Sequence, residues 1–157
     1  MANILPSRPR TGSPRRNFAV VASQYNNLYT DGLVEGFRTE IEIIATGSPV
    51  DVHEVPGSFE IPLAVQELAM RGGMDAIVAF GVLLEGETAH ATLIADSVTK
   101  NLQKIALTHR IPVIHEVLLV KNEDQARARC LEPDLNRGTE AARVAVRMAQ
   151  ALSDIRR

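Results

Sequence analysis

Short runs of apolar, often β-branched residues alternate along this chain with longer segments in which apolar residues recur every three or four positions. Runs of the first kind predict buried strands, and the second pattern predicts helices with one apolar face. Because the two kinds alternate, we expect an α/β fold in which helices cover a parallel sheet. The predicted strands are Phe18–Ser23, Val50–Val55, Ala76–Leu84 and Pro112–Val120.

Four helices are predicted between and after these strands. The first carries its apolar face at Leu33, Val34, Phe37, Ile41 and Ile44. The other three span about residues 58–71, 89–108 and 138–153, because glycines at 72 and 73 and a proline at 112 oppose continuation of the second and third. We expect the last helix to bury Ala141, Ala142, Ala145, Met148 and Leu152.

Sheets of this kind bind ligands in the crevice beyond the carboxyl ends of their strands. The loops that reach this edge follow Ser23, Val55, Leu84 and Val120. All four loops contain polar or glycine-rich residues of chemical interest. We therefore expect the functional site at this edge of the sheet.

The loop after the third strand, residues 85–90, brings a glycine, backbone amides and a helix start together. The first N–H groups of a helix are unpaired and its dipole favours negative charge, so this loop predicts a site for an anion such as phosphate. His90 is expected in the first helical turn, where an imidazole can exchange a proton with a bound group. Taken alone, a His at a helix start is more often a surface or capping residue than a catalytic one.

The loop after the second strand offers an aromatic side chain, backbone amides and a carboxylate close together, since Phe59 and Glu60 follow Pro56-Gly57-Ser58. Such a set can hold a flat, hydrogen-bonding heterocycle. The alternative is structural, with Phe59 in the core and Glu60 favouring the helix start. Tyr25, after the first strand, could add a second aromatic face.

The chain has 157 residues, the size of one ordinary domain, and its composition of 45% hydrophobic and 23% charged residues suits a packed core. The net charge is −2, but residues 1–16 carry four arginines and no acid, which leaves −6 for residues 17–157. We expect residues 1–16 to be a flexible basic arm and residues 17–157 to be the functional domain. A transit peptide is the alternative for the arm, although its prolines oppose an amphipathic helix.

The chain lacks the residues that several classes of function require. Cys130 is the single cysteine, which excludes an intrachain disulfide, and the four histidines lack the spacing of a metal site. There is no glycine-rich nucleotide loop, no serine-hydrolase elbow and no acidic cluster of a signalling domain. The acidic balance of residues 17–157 disfavours nucleic acid, and no apolar stretch reaches the ~20 residues that cross a bilayer. We expect a soluble, cytoplasmic protein with neither a nucleic-acid nor a membrane partner.

Four segments of the chain occur in the order and spacing of the lumazine synthase family, which the chain resembles from about Asn17 to Ala151. They are residues 56–62, residues 81–90, residues 122–126 with Arg129, and Asn136-Arg137-Gly138. The resemblance implies a flavodoxin-like three-layer sandwich, with a four-stranded parallel sheet and helices on both faces. It also implies an enzyme, without cofactor or metal, of the penultimate step of riboflavin synthesis. That step condenses 5-amino-6-(D-ribitylamino)uracil with 3,4-dihydroxy-2-butanone 4-phosphate to 6,7-dimethyl-8-ribityllumazine.

The resemblance also implies roles for individual residues. Tyr25 is expected to stack on the pyrimidine, and His90 to transfer protons. The pyrimidine ring and its ribityl chain are expected to contact Asn26, Ser58, Phe59 and Glu60, in a pocket lined by Leu83 and Leu84. Phosphate is expected to lie against Gly86, Glu87 and Thr88 and to be clamped by Arg129, with His115 and Arg137 near the ring.

Members of this family bind their small-molecule substrates between adjacent subunits of a homopentamer, and some assemble into a 60-subunit shell. Arg129 and His115 are then expected from the neighbour of the subunit that provides His90. Residues 131–135 depart from the linker common in shell formers, so pentamer and shell both stay open. Riboflavin synthase is a further partner that the resemblance allows.

The chain departs from the family at the edges of the expected site. Glu85 stands where the family often has Arg, and Ala91 and Thr92 stand where an aromatic and an acid are usual. His115 replaces a common Phe, and it could also be only a polar residue at a strand end. Arg137 replaces the usual Lys and changes its geometry. The alternative to an active synthase is therefore a pentameric relative that binds lumazine or riboflavin without catalysing its formation.

Overall fold

The computed structural model describes residues 4–10 and 13–157, which form four strands and five α-helices. The strands are β1 (Phe18–Ser23), β2 (Val50–Val55), β3 (Ala76–Leu84) and β4 (Val113–Val120). The helices are α1 (Asn27–Ile44), α2 (Ile61–Arg71), α3 (His90–His109), α4 (Glu123–Cys130) and α5 (Arg137–Ile155). Short 3-10 helices at Ser58–Glu60 and Pro133–Leu135 precede α2 and α5. Within these residues, every helix is too short or too polar to span a membrane.

The four strands form one parallel sheet in the order β2-β1-β3-β4. Phe18 at the start of β1 lies opposite Val50 of β2 and Ala76 of β3, so β1 is paired on both of its edges. The chain moves from β1 outward to β2, returns to β3 and continues to β4. The direction therefore reverses between β1 and β3, as it does in a flavodoxin-like sheet. The predicted fold class is confirmed.

Helices cover both faces of the sheet and enclose two apolar cores. On one face α1, α4 and α5 pack against the sheet, and Phe18, Phe37 and Phe80 stack edge to face there with ring centroids about 6 Å apart. On the other face α2 and α3 bury Val65 and Leu102 against the remaining side chains of the strands. The central strands β1 and β3 are covered on both sides, so their side chains are apolar almost throughout, whereas the edge strand β2 exposes Asp51 and Glu54.

Apart from the end residues of the helices, the structure agrees with the sequence pattern except in three respects. The fourth strand begins at Val113 instead of Pro112, since proline has no N–H for the ladder. The last helix buries Val146 and Ala149 in place of Met148, which is 39% exposed, and Leu152, which is half-buried. Met148 and Leu152 line a groove beside the open edge of β4, which no further strand among the described residues covers. The predictions that Met148 and Leu152 are buried are therefore wrong.

Helix α4 is the third difference, because the apolar pattern does not predict it. Only Ala126 and Cys130 of this helix are buried. Its start is set by reciprocal hydrogen bonds, in which Asn122 Oδ1 accepts from the backbone N of Gln125 at 2.9 Å and Gln125 Oε1 accepts from the backbone N of Lys121 at 2.9 Å. This arrangement resembles a capping box, so the spacing of Asn122 and Gln125 is the signal that could have identified α4.

The side chain of Asn136 holds α1, α4 and α5 together. It is buried, and its Nδ2 donates to the carbonyl oxygens of Cys130 at 2.9 Å and Gly32 at 3.3 Å. Its Oδ1 caps α5 by accepting from the backbone N of Thr139 at 3.0 Å. A Cβ at Gly138 would collide with the backbone of α1, so α1 and α5 approach each other more closely than larger residues would permit.

The described residues of the arm lie against α1 and α5. Arg8 donates two hydrogen bonds to the buried carboxylate of Glu40, which Arg143 also contacts at 2.8 Å, and Arg147 donates to the carbonyl oxygen of Ser7. Burial opposes ionisation of Glu40, but the hydrogen bonds and charges of the two arginines outweigh it and lower its pKa. That residues 1–16 form a flexible arm stays a prediction.

A buried ion pair joins β4 to the start of α5. Arg137 donates to Glu116 at 3.1 Å and to Glu140 at 2.7 Å, and the side chains of Arg137 and Glu116 are 16% and 6% exposed. Burial raises the pKa of Glu116 to about 7, and the charge of Glu140 adds to this rise, while Arg137 opposes it. The protonated form of Glu116 is therefore favoured by folding.

We expect the substitution Glu116→Gln to change how stability depends on pH. A carboxyl whose folded-state pKa lies above its unfolded value of 4.5 stabilises the fold at low pH, and this contribution is lost as the pH rises through about 7. Between about pH 5 and pH 8 the wild type should lose roughly 1–3 kcal/mol relative to Glu116→Gln. Chemical denaturation at one protein concentration measures the difference. The exposed Glu42→Gln is the matched control, and parallel pH profiles for wild type and Glu116→Gln would contradict the expectation.

Candidate active site

An open pocket of about 800 Å³ lies beyond the carboxyl ends of β1 and β3, where the direction of the chain reverses. It is bounded by the loops after β1 and β2, by the end of β3 and by the first turn of α3. Its lining residues are Tyr25, Asn26, Gly57, Ser58, Phe59, Glu60, Val82, Leu83, Leu84, His90, Ala91, Leu93 and Ile94. This is the edge of the sheet at which the sequence predicts a site.

Asn26 fixes the loop after β1 against β3. Its Nδ2 donates to the carbonyl oxygen of Val82 at 2.7 Å, and its backbone is left-handed, with φ 59°, a conformation that Asn tolerates better than most residues. On the other side of this loop, the backbone N of Tyr25 donates to Pro56 at 3.1 Å. The loop is thus tied to its neighbours on both sides, and it presents the Tyr25 ring at the mouth of the pocket.

Two glycines, Gly81 and Gly57, leave space for the polar side chains of Ser58 and Glu60. A Cβ at Gly81 of β3 would lie 2.5 Å from Ser58 Oγ, so glycine at this position lets the hydroxyl of Ser58 approach the strand. A Cβ at Gly57 would lie 2.9 Å from Glu60 Oε2 and 3.2 Å from the ring of Tyr25. The carboxylate of Glu60 and the ring of Tyr25 therefore both lie close to Gly57, which brings an acid and an aromatic face together.

The rim of the pocket is apolar and faces water. Tyr25 is 71% exposed, Phe59 62% and Leu93 67%. The alternative in which Phe59 belongs to the core is therefore wrong. Exposed apolar side chains clustered around a cavity are typical of a surface that a ligand or another protein covers.

The loop after β3 leads directly into α3, and residues 85–90 are exposed. Among the described residues no side chain caps the start of this helix, its first turn carries no acid, and Thr88 Oγ1 lies 3.5 Å from the backbone N of His90. The amides of the first turn therefore remain available to an anion, while the side chain of His90 faces the pocket. Gly86, Glu87 and Thr88 adjoin the pocket at this end without lining it.

The charges in the pocket are few. Glu60 provides a carboxylate and His90 an imidazole, and the described lining includes no Lys or Arg. Among residues 4–10 and 13–157, no group of three His, Cys, Asp or Glu side chains could hold a metal ion. Burial raises the pKa of Cys130 to about 12, so this thiol is not an activated nucleophile.

His115, Arg129 and Arg137 do not reach this pocket. Arg137 is engaged in the ion pairs with Glu116 and Glu140. Arg129 is half-buried on α4, its Nη1 donates to the carbonyl oxygen of Gln125 at 3.2 Å, and it makes no salt bridge with another described residue. The structure thus brings together the predicted residues of the first two loops, of β3 and of the start of α3, with Gly86, Glu87 and Thr88 beside them, and it places His115, Arg129 and Arg137 elsewhere.

His115 lies on β4 and contacts α3. Its Nδ1 accepts a hydrogen bond from the backbone N of Val117 at 3.0 Å, and its Nε2 lies 2.7 Å from Thr99 Oγ1. Burial lowers the pKa of the imidazole. Because Nδ1 is an acceptor, we assign the proton of the neutral ring to Nε2.

Several lining residues were not predicted as part of the site. Leu93 and Ile94 line the pocket because they follow His90 at three and four positions along α3, and helical spacing could have identified them, whereas it does not identify Ala91. Val82 lies two residues before Leu84 on β3, and alternation along a strand gives a similar signal. Gly57 belongs to the predicted loop after β2, which is the signal for it.

Comparisons with known proteins give one consistent result. The family model described as 6,7-dimethyl-8-ribityllumazine synthase matches residues 15–153. A protein of that name from Paraburkholderia phymatum is 38% identical over 143 residues, which cover 90% of this chain and 81% of the relative. One from Methylibium petroleiphilum is 34% identical, with 87% and 83% covered. One from Albidiferax ferrireducens is 34% identical, with 97% and 95% covered.

Proposed function

Because this chain belongs to the 6,7-dimethyl-8-ribityllumazine synthase family, transferases of riboflavin biosynthesis, we propose the following reaction for it. The enzyme condenses 5-amino-6-(D-ribitylamino)uracil with 3,4-dihydroxy-2-butanone 4-phosphate, and it releases 6,7-dimethyl-8-ribityllumazine, phosphate and water. The observation that carries this proposal is the single pocket that collects Tyr25, Asn26, Ser58, Phe59, Glu60, Leu83, Leu84 and His90.

The pyrimidine occupies the part of the pocket near β1 and β2. Tyr25 and Phe59 offer exposed aromatic faces, which suit a flat heterocycle. The polar side chains of Asn26, Ser58 and Glu60 line the same part of the pocket and can bond the edge of the ring and the hydroxyls of the ribityl chain. Apolar walls with a few polar groups are the usual composition of a small-molecule site.

The butanone phosphate occupies the opposite part, at the start of α3. Its phosphate lies against the backbone of Gly86, Glu87 and Thr88, where the uncapped amides and the helix dipole favour an anion. Glu87 contributes its backbone here, since its carboxylate would repel phosphate. This arrangement brings the ketone between the phosphate and the amine of the pyrimidine.

The chemistry needs orientation and proton transfer more than it needs a strong nucleophile from the protein. The substrate amine attacks the ketone carbonyl and water leaves, phosphate is then eliminated, and ring closure releases further water. Holding two reactants in place can contribute several kcal/mol, up to about 7–11 in ideal cases. His90, exposed at the start of α3 and facing the pocket, moves protons between these groups.

A second copy of the chain completes the site. The described lining has no cation to balance the phosphate, and its rim exposes Tyr25, Phe59 and Leu93. Arg129 and His115 therefore act on the pocket of an adjacent subunit, and the assembly is a homopentamer, alone or within a shell. Arg137 lies near the pyrimidine ring bound in that adjacent subunit, and its guanidinium is oriented by Glu116 and Glu140. Riboflavin synthase, which would use the product, stays a predicted partner.

The decisive test is to incubate the purified protein with both substrates and to follow lumazine fluorescence. We expect condensation well above the spontaneous rate, which is measured in the same buffer without protein. Binding of lumazine with no rate above that background would favour the alternative of a non-catalytic binding protein. Native mass spectrometry of the same sample reports whether it is a pentamer or a larger shell.

We expect His90→Ala to lower kcat about 10²-fold, because a positioned general acid or base typically contributes 10²-fold or more. The KM values should change little, since the ring is not the main contact for either substrate. His109→Ala, at the other end of the same helix and outside this pocket, is the matched control and should retain the wild-type kcat. An unchanged kcat in His90→Ala would remove His90 from its assigned role.

We expect Arg129→Ala to raise the KM for the butanone phosphate about 10- to 100-fold, as the loss of a charge-assisted bond to phosphate would. The KM for the pyrimidine should stay within about twofold of wild type. Arg127→Ala, exposed on the same helix, serves as the control. If Arg129→Ala raises the KM for a phosphate-free analogue of the butanone as much as it raises the KM for the phosphate ester, Arg129 is not the phosphate clamp.

A further inference from the structure

The imidazole of His115 is anchored at both of its nitrogens. On one side Nδ1 accepts from the backbone N of Val117 at 3.0 Å, and on the other Nε2 lies 2.7 Å from Thr99 Oγ1. The first bond lies within β4 and the second joins β4 to α3. Two anchors at opposite edges of the ring leave the imidazole little freedom to rotate about χ2.

The bond to Val117 comes from the position of β4 at the edge of the sheet. In a parallel edge strand every second amide points away from the neighbouring strand. The ring of His115 folds against its own strand and accepts from one of these amides. Because Nδ1 is already an acceptor, a proton there would place one donor against another, so the ring is held neutral with its proton on Nε2.

With the proton on Nε2, His115 donates a hydrogen bond to Thr99 Oγ1. Among the described residues, Thr99 is the only side chain bonded to Nε2 of His115. It lies on an exposed part of α3, outside the pocket lining. The helix interior does not otherwise favour a β-branched hydroxyl residue, so neither the core nor the helix itself accounts for Thr99.

We propose that Thr99 is a positioning residue, which fixes the ring of His115 so that a neutral, flat imidazole is presented to the pyrimidine bound in the adjacent subunit. The inference rests on the proposed function, which assigns His115 to that pyrimidine. It adds that the specificity of the pyrimidine site depends on a residue of α3 that touches no substrate. Thr99 acts only through His115.

A purely structural role is the competing account, in which Thr99 and His115 merely cover the edge of β4. The two accounts differ in what a change at Thr99 affects. Loss of an edge contact would lower stability or assembly and reduce all kinetic parameters together. Loss of ring orientation affects recognition of the pyrimidine and leaves the butanone phosphate untouched.

The experiment compares Thr99→Val and Thr99→Ala, which remove the acceptor, with Thr99→Ser, which retains it. Thr108→Val, an exposed threonine further along the same helix, is the matched control. For each full-length variant we measure kcat, the KM of both substrates, the Kd of the lumazine product by fluorescence titration, thermal stability and assembly by native mass spectrometry.

We expect Thr99→Val and Thr99→Ala to raise the KM of the pyrimidine and the Kd of lumazine about three- to tenfold, the effect of one neutral hydrogen bond. The KM of the butanone phosphate and kcat should stay within about twofold of wild type, as should every parameter of Thr99→Ser and Thr108→Val.

The proposal is overturned if Thr99→Val matches wild type, if Thr99→Ser is as impaired as Thr99→Val, or if all parameters and stability fall together. If wild type binds lumazine but does not accelerate its formation, the proposed reaction fails, and the lumazine Kd series alone decides the role of Thr99. If wild type binds no lumazine, both proposals fail.

Discussion

The structure of the site depends on one constraint, which is that β1 is hydrogen-bonded to a parallel strand on each edge. Because β1 runs parallel to β2 and β3, the carboxyl ends of all three strands lie at the same edge of the sheet. Their loops must then converge, and the reversal of direction between β1 and β3 opens a crevice between them. The hydrogen bond from Asn26 to the carbonyl oxygen of Val82 ties the loop after β1 to β3 at this edge of the sheet.

The fold was predictable from the sequence wherever an element is buried on one face or on both, because such burial gives a periodic or continuous apolar pattern. The runs that became β1 and β3 are almost entirely apolar, and the run that became β2 carries Val50, Val52 and Val55, so the bounds of all three strands were predicted correctly. Gly72 and Pro112 mark where neighbouring elements end or begin. Helix α4 escaped prediction because it buries only two small side chains, so it has almost no apolar periodicity. Burial along α5 was predicted wrongly at Met148 and Leu152, because a helical pattern shows which face is apolar but not where the sheet beneath it ends.

The site was predictable as a set of loops but not as a set of contacts. Residues after β1, β2 and β3 converge by topology alone, and the family resemblance names their roles. The partners of the more distant residues follow no local pattern. Thr99 is 16 residues from His115, and Glu116 is 21 from Arg137, yet each pair is within hydrogen-bond distance. Such pairs arise from how α3 and α5 pack on β4, and packing of that kind is not encoded in periodicity.

The charge of the pocket supplies the strongest reason to regard one chain as part of a site. Phosphate carries up to two negative charges, and the start of α3 offers the equivalent of about half a positive charge. Within the described lining, Glu60 adds a negative charge and no Arg or Lys opposes it. Glu85 and Glu87 lie beside the proposed phosphate position, so the chain's own field there is unfavourable. Binding of the phosphate ester therefore requires cations from outside this pocket. Because Arg137 already pairs with Glu116 and Glu140, Arg129, which makes no salt bridge with the rest of the described chain, is the better placed to provide one.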